Sequence, residues 1–243
     1  MSEIIRANTS LPANRMPFRL LTADGLSLVG EVASPLGARE GAILCLHPNP
    51  TGGGMMDSHV YRKAANRLPA LAGITVVRFN TRGTSSDAGT SEGVFDNGIK
   101  EKMDVEAALS FCFDELQLEN LWVVGWSFGT DLALHFAKDP RHKGLILLSP
   151  PLKNSAPEQL TYWNSDGRPI IALIPEFDDY LKPQEAVERF SIVPHVEIIP
   201  VEGAKHLWIG EPSVYRVLNE IVARVAPARI PLPTQIPESL QFT

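Results

Sequence analysis

Short apolar runs without polar alternation, each followed by a stretch of helical period, narrow most what this chain can fold into. The runs are AILCLH (42–47), ITVVRFN (74–80), LWVVGWS (121–127), GLILLSP (144–150), PIIALIP (169–175) and HVEIIP (195–200). Consecutive apolar positions rich in Val and Ile suit strands buried on both faces of a parallel sheet. Helical patterns fill the gaps at 57–71, 127–136, 184–190 and 213–225. A further one carries Val105, Ala108, Leu109, Cys112 and Leu116 on one face. Strand and helix in alternation predict an α/β sandwich with right-handed crossovers. Ahead of it, segments 18–23 and 26–34 flank Asp24-Gly25, a two-residue hairpin signal.

The pattern divides the 243 residues into a polar, loosely held arm (1–17), one α/β domain (18–226) and a tail (227–243) with four prolines, expected to lie extended along the surface or to be disordered. No proline falls between Pro69 and Pro140, the stretch whose central strands need every backbone N–H. A net charge of −6 leaves no basic surplus to neutralise phosphates, which argues against nucleic acid as a partner. Cys45 and Cys112 both lie in apolar patterns and read as small buried hydrophobes in a reducing compartment. The first residues hold no apolar leader and no run reaches the ~18 residues of a membrane span. A cytoplasmic protein without a membrane span is therefore expected.

In an open parallel sheet the chemistry sits outside the carboxyl ends of the strands. There the third run ends in Gly125-Trp126-Ser127-Phe128-Gly129, followed directly by a helical pattern. This is G-x-S-x-G, in which a strained strand-to-helix turn exposes the serine hydroxyl and both flanking positions must lack a Cβ. Ser127 is thus the candidate nucleophile, at a helix N-terminus that favours a developing anion.

An activated serine needs a base, and the base needs an acceptor to fix its tautomer. Of six histidines, His135 lies inside the helix after the elbow, His142 in a basic turn expected to be solvated, and His195 at the start of a strand. His47 ends a strand but stands among prolines. His206 follows the last strand, in EGAKHLWIGE, and is the candidate base. The acid should follow another strand on the same edge, where PIIALIP runs into Glu176-Phe177-Asp178-Asp179. Asp178 is the first choice and Asp179 the reserve.

Acyl transfer also needs N–H donors for the oxyanion. One is the backbone N–H of Phe128, after the nucleophile. The second belongs in the loop His47-Pro48-Asn49-Pro50-Thr51-Gly52-Gly53-Gly54, where the prolines have no N–H and Asn49 is the natural donor. No Gly-Lys-Ser/Thr, G-x-G-x-x-G at a strand–helix junction, H-E-x-x-H or paired C-x-x-C occurs, so nucleotide and metal chemistry have no motif here. Neither a cofactor nor a metal is expected.

The segments HPNPTGGGMMDSHV (47–60), FNTRG (79–83), GWSFG (125–129), EFDD (176–179) and GAKHLWIG (203–210) make the chain resemble the α/β-hydrolase family over roughly 18–225. It looks most like the compact dienelactone-hydrolase-like or acyl-peptidase-like branch. The resemblance implies an eight-stranded, mostly parallel sheet with helices on both faces, the hairpin supplying its antiparallel start, and a Ser127–His206–Asp178 triad. Dienelactone hydrolases proper use a cysteine nucleophile, so their substrate is not carried over. The turn after Arg82-Gly83, TSSDAGTSEG, also departs from the G-x-S often seen there, and Arg82 itself is expected to form structural ion pairs.

Only 51 positions separate Ser127 from Asp178, which leaves no room for a large lid. The expectation is a carboxylesterase-like serine hydrolase acting on a small or medium acyl substrate. A peptidase or thioesterase on the same triad is the first alternative, and a non-catalytic binding module on the same fold the second. Met55, Met56, Phe95, Trp126, Trp163 and Trp208 are candidates to line the acyl site, with core packing as the competing role. Oligomeric state cannot be read from the sequence.

Overall fold

Each apolar run becomes a strand of one sheet. The computed structural model describes residues 3–240; positions 1–2 of the expected arm and 241–243 of the expected tail lie outside the described residues. In chain order the elements are β1 (Asn14–Leu21), β2 (Ser27–Ser34), β3 (Gly41–Leu46), α1 (His59–Ala72) and β4 (Ile74–Phe79). A short ribbon, β5 (Ser85–Ser86) with β6 (Gly89–Thr90), precedes α2 (Glu101–Ser110), β7 (Leu121–Trp126) and α3 (Phe128–Phe136). Then come β8 (Leu145–Leu148), α4 (Pro157–Asp166), β9 (Ile170–Phe177), α5 (Pro183–Arg189), β10 (Val196–Lys205) and α6 (Glu211–Val225).

The eight-stranded sheet has the order β1-β2-β4-β3-β7-β8-β9-β10. β2 is antiparallel to both its neighbours, and all pairings from β4 to β10 are parallel. Alternate residues of each central strand feed two separate cores. Ala42, Leu44 and Leu46 of β3 and Leu121 and Val123 of β7 pack with Leu132 of α3 and Trp163 of α4. Ile43, Cys45, Trp122 and Val124 face the other way, against Ala64 and Leu68 of α1 and Leu218 and Ile221 of α6. A strand apolar at every position is what a sheet covered on both faces requires. Both cysteines are buried and free, and burial pushes the Cys45 thiol up to about 12. β4 lies on one side of β3 and β7 on the other, so the strand order reverses at β3 and opens a crevice between the loops after β3 and β7.

The hairpin departs from the two-residue turn. Its strands stop at Leu21 and restart at Ser27, because Thr22 Oγ1 accepts the Leu26 N–H and Asp24 is drawn out to pair with Arg82. The arm is held rather than loose, and the tail runs extended along the surface beside it. Ile4 bridges Gln235, the Ile5 N–H donates to Thr234 O at 3.0 Å, and Leu232 is buried with its N–H on Asn219 Oδ1. α4 was not evident as a helix in the sequence. It is short, and the stretch 151–168 between Ser127 and Asp178 holds no larger insertion, so there is no large lid. Among the described residues no helix is long and apolar enough to cross a membrane.

Candidate active site

Ser127 stands between β7 and α3 with φ 52° and ψ −120°, a conformation that costs an L-residue on the order of 1–3 kcal/mol. Its neighbours explain how the turn closes. A Cβ on Gly125 would lie 2.5 Å from the Gly129 carbonyl oxygen, and one on Gly129 would lie 2.0 Å from that of Leu46. Either side chain would push α3 off the sheet. The Ser127 N–H continues the ladder to Leu148 O at 2.9 Å, while its carbonyl accepts from the Thr130 hydroxyl at 2.6 Å.

The loops after β9 and β10 bring Asp178 and His206 to this serine. His206 Nε2 is 2.8 Å from Ser127 Oγ and His206 Nδ1 is 2.9 Å from Asp178 Oδ2. A carboxylate can only accept, so Nδ1 carries the proton and bare Nε2 accepts from the serine hydroxyl. Asp178 Oδ1 takes the N–H groups of Tyr180 at 2.8 Å and Leu181 at 3.2 Å. Burial opposes ionisation of Asp178, but the bonds from His206, Tyr180 and Leu181 outweigh it and hold the carboxyl below its ordinary range. Asp179, the reserve candidate, is exposed. The Tyr180 ring stands edge-on to His206, centroids 4.6 Å apart.

Asn49 and Phe128 both line a cavity of about 240 Å³ with Ser127. As the first residue of α3, Phe128 presents an N–H with no acceptor inside the helix. The Asn49 loop is held by its own turn: Asn49 Oδ1 accepts from the Thr51 N–H and hydroxyl, and Asn49 O accepts from the N–H groups of Gly52 and Gly54. Beneath it His47 Nε2 accepts the Thr81 N–H at 3.0 Å, so its proton is on Nδ1, donated to Pro48 O at 2.7 Å. Burial drives the His47 pKa down to about 4.

The remaining histidines are not at the serine. His59 Nε2 donates to Leu207 O, His135 sits 3.3 Å from the Ser155 hydroxyl, and His195 precedes β10, remote along the strand from His206. His142 corrects the expectation of a solvated turn: it is 1% exposed, with Nε2 on Ala137 O. Of the apolar candidates Phe95 lines the cavity, whereas Met56, Trp126, Trp163 and Trp208 are buried. Asp131, Lys153 and Tyr180 also line it and were not singled out from sequence. Tyr180 and Lys153 sit just past the carboxyl ends of strands, the one signal that pointed to them.

A family model described as the alpha/beta hydrolase fold matches residues 41–182, more than half of the chain. The chain belongs to the alpha/beta hydrolase family. Solved members of that fold superpose on nearly all of it. An alpha-beta serine hydrolase homologue from Coxiella burnetii does so with TM-score 0.73 and 24% identity, over 87% of this chain and 97% of that one. A serine hydrolase without a lid from Xanthomonas campestris gives 0.72 and 24%, over 93% and 100%. An esterase from Pyrococcus furiosus gives 0.70 and 19%, over 88% and 93%. An uncharacterized protein of Rickettsia prowazekii is 36% identical over 115 residues, 45% of this chain. The match spans 44% of that curated relative, less than half its length.

Proposed function

We propose that this alpha/beta hydrolase is a serine esterase acting on small or medium acyl groups. The observation that carries the reading is the unbroken hydrogen-bonded line from Asp178 Oδ2 through His206 to Ser127 Oγ. In this mechanism Ser127 Oγ attacks the acyl carbonyl as His206 Nε2 takes its proton. The tetrahedral oxyanion lies against the N–H groups of Phe128 and Asn49. His206 then gives the proton to the leaving oxygen, and the ester C–O bond breaks to leave an acyl-Ser127. A water, deprotonated by the same nitrogen, releases the acid and restores the serine. Asp178 stays ionised throughout and holds the imidazolium formed in each half.

Access to Ser127 limits substrate size. The cavity is small and no lid covers it, which suits short acyl groups presented from solvent. A fluorophosphonate probe tests the class and the nucleophile together: it should label the purified protein at Ser127 and leave Ser127→Ala unlabelled. Equal labelling of the two proteins, or none of either, overturns the proposal. Relative kcat/KM on p-nitrophenyl esters, acyl-CoA thioesters and aminoacyl amides then separates esterase from thioesterase and peptidase.

A further inference from the structure

The imidazole of His206 has its two partners, but its backbone leaves the edge of the sheet. Among the described residues β10 pairs with β9 alone, and the pairing is irregular between Val201 and Lys205, just before the histidine. Beyond it Leu207 and Ile209 are 51% and 71% exposed. Trp208 between them is buried and its N–H turns back to Lys205 O at 2.9 Å, and three side chains of other elements add to this restraint. The His206 carbonyl accepts from the Trp126 indole Nε1–H at 3.2 Å and from the Ser149 hydroxyl at 3.0 Å. These two bonds engage both lone pairs of the oxygen. The following carbonyl, Leu207, accepts from His59 Nε2–H at 2.7 Å, and the His59 ring stands edge-on to Trp126 with centroids 5.4 Å apart.

Ser149 is the least expected of the three. It is 1% exposed and has φ 49°, a region where a non-glycine residue is strained. Its N–H extends the ladder from β8 to Leu173 O at 3.0 Å. The chain therefore stays in the sheet up to Ser149 and turns there with the hydroxyl on the His206 carbonyl. Glycine would adopt this backbone freely; it would supply no donor.

We infer that Ser149, supported by Trp126 and His59, is a positioning residue that fixes the backbone of His206 so that Nε2 stays in line with Ser127. The inference rests on the esterase reading above. Losing one anchor lets the imidazole drift, and small misplacements of a reacting group cost up to about 100-fold in rate. Substrate binding, which uses the cavity and the oxyanion donors, is not touched.

Ser149→Gly separates this role from a purely structural one, because it removes the hydroxyl while relieving the backbone and leaves Trp126 on the carbonyl. With p-nitrophenyl acetate, and rates expressed per probe-titratable Ser127, we expect kcat to fall about 10-fold or more with KM little changed and Tm not lowered. Ser149→Ala, which keeps the strain, should lose as much kcat. The double variant Trp126→Phe/Ser149→Gly, which leaves the carbonyl without a donor, should lose more than either single change. A Ser149→Gly protein whose kcat per titrated site stays within about twofold of an active wild type overturns the inference alone. A wild type that neither reacts with the probe nor turns over ester overturns the esterase reading, and this inference with it.

Discussion

Arg82 and Asp104 are joined by three hydrogen bonds at the bottom of the loop after β4. The Arg82 N–H meets Asp104 Oδ2 at 2.8 Å, and Nε and Nη2 meet Oδ1 at 3.0 and 2.7 Å, with the side chains 2% and 0% exposed. On its open side the same guanidinium holds Asp24 at 2.9 and 3.2 Å, and those bonds, with one from Thr22, lower the Asp24 carboxyl to about 2. The residue before Arg82 is Thr81, whose N–H supports His47 under the Asn49 loop. A buried ion pair thus supports the Asn49 loop from beneath, and neither Arg82 nor Asp104 lines the cavity at Ser127.

Removing the acid of that pair strands a buried cation. Asp104→Ala should cost about 3–5 kcal/mol of unfolding free energy, the usual penalty for breaking a buried pair. Urea titration reads it as a lower midpoint at unchanged slope. A loss below about 1 kcal/mol would mean that Asp24 alone satisfies the guanidinium.

The two neighbouring aspartates should behave very differently. Asp178→Asn puts an amide where His206 Nδ1–H must donate, which in serine hydrolysis costs about 10⁴-fold in kcat. Asp179→Asn, at an exposed position, should change kcat by less than about threefold. Steady-state ester hydrolysis on the two variants checks this, and the reverse ranking would reassign the acid.

Gly129→Ala tests the close approach of α3 to β3. With a Cβ only 2.0 Å from the Leu46 carbonyl, backbone must move. Overpacking of this kind costs about 1–3 kcal/mol or more, and here the displacement falls on the turn that holds Ser127. Tm and kcat should fall together, whereas Gly52→Ala, with open space around its Cβ, should lower neither by much.

Stability should weaken on mild acidification. Burial lowers both His47 and His142 to about 4, against ~6.5 for histidine in an unfolded chain. Between those values the unfolded chain holds protons that the folded one refuses, so unfolding free energy falls as pH drops through 6.5 towards 4. Each histidine contributes on the order of 3 kcal/mol by the end of that window. Protonated His47 would also aim Nε2–H at the Thr81 N–H. Urea midpoints at pH 7 and pH 5 should differ for the wild type, and the difference should shrink in His47→Gln.

Elements with a one-sided physical cause were legible in the sequence. Runs such as AILCLH announce a doubly covered strand, and G-x-S-x-G announces a turn that only glycine-flanked chain can make. Asp178 and His206 were reachable because each follows its own strand on the carboxyl edge. What stayed hidden depends on partners distant in the chain. Nothing local says that Asp24 will leave its turn for Arg82, 58 residues on. Nothing marks His142 as buried, since Arg141 and Lys143 beside it are exposed. The hydroxyl of Ser149 acquires meaning only when a carbonyl 57 residues later arrives above it. α4 escaped because its ten residues bury little more than Leu160 and Trp163, too few to set a period.

The bridge between Ile4 and Gln235 makes the described chain almost a ring, since bridged residues lie only about 5 Å apart. A ring has no privileged starting point. A short peptide joining the segments at Ile4 and Gln235 would restrain them no more than the bridge already does, while a break at the exposed loop 36–39, between β2 and β3, would sever no strand. The order in which the strands leave the ribosome is thereby separable from the order in which they lie in the sheet.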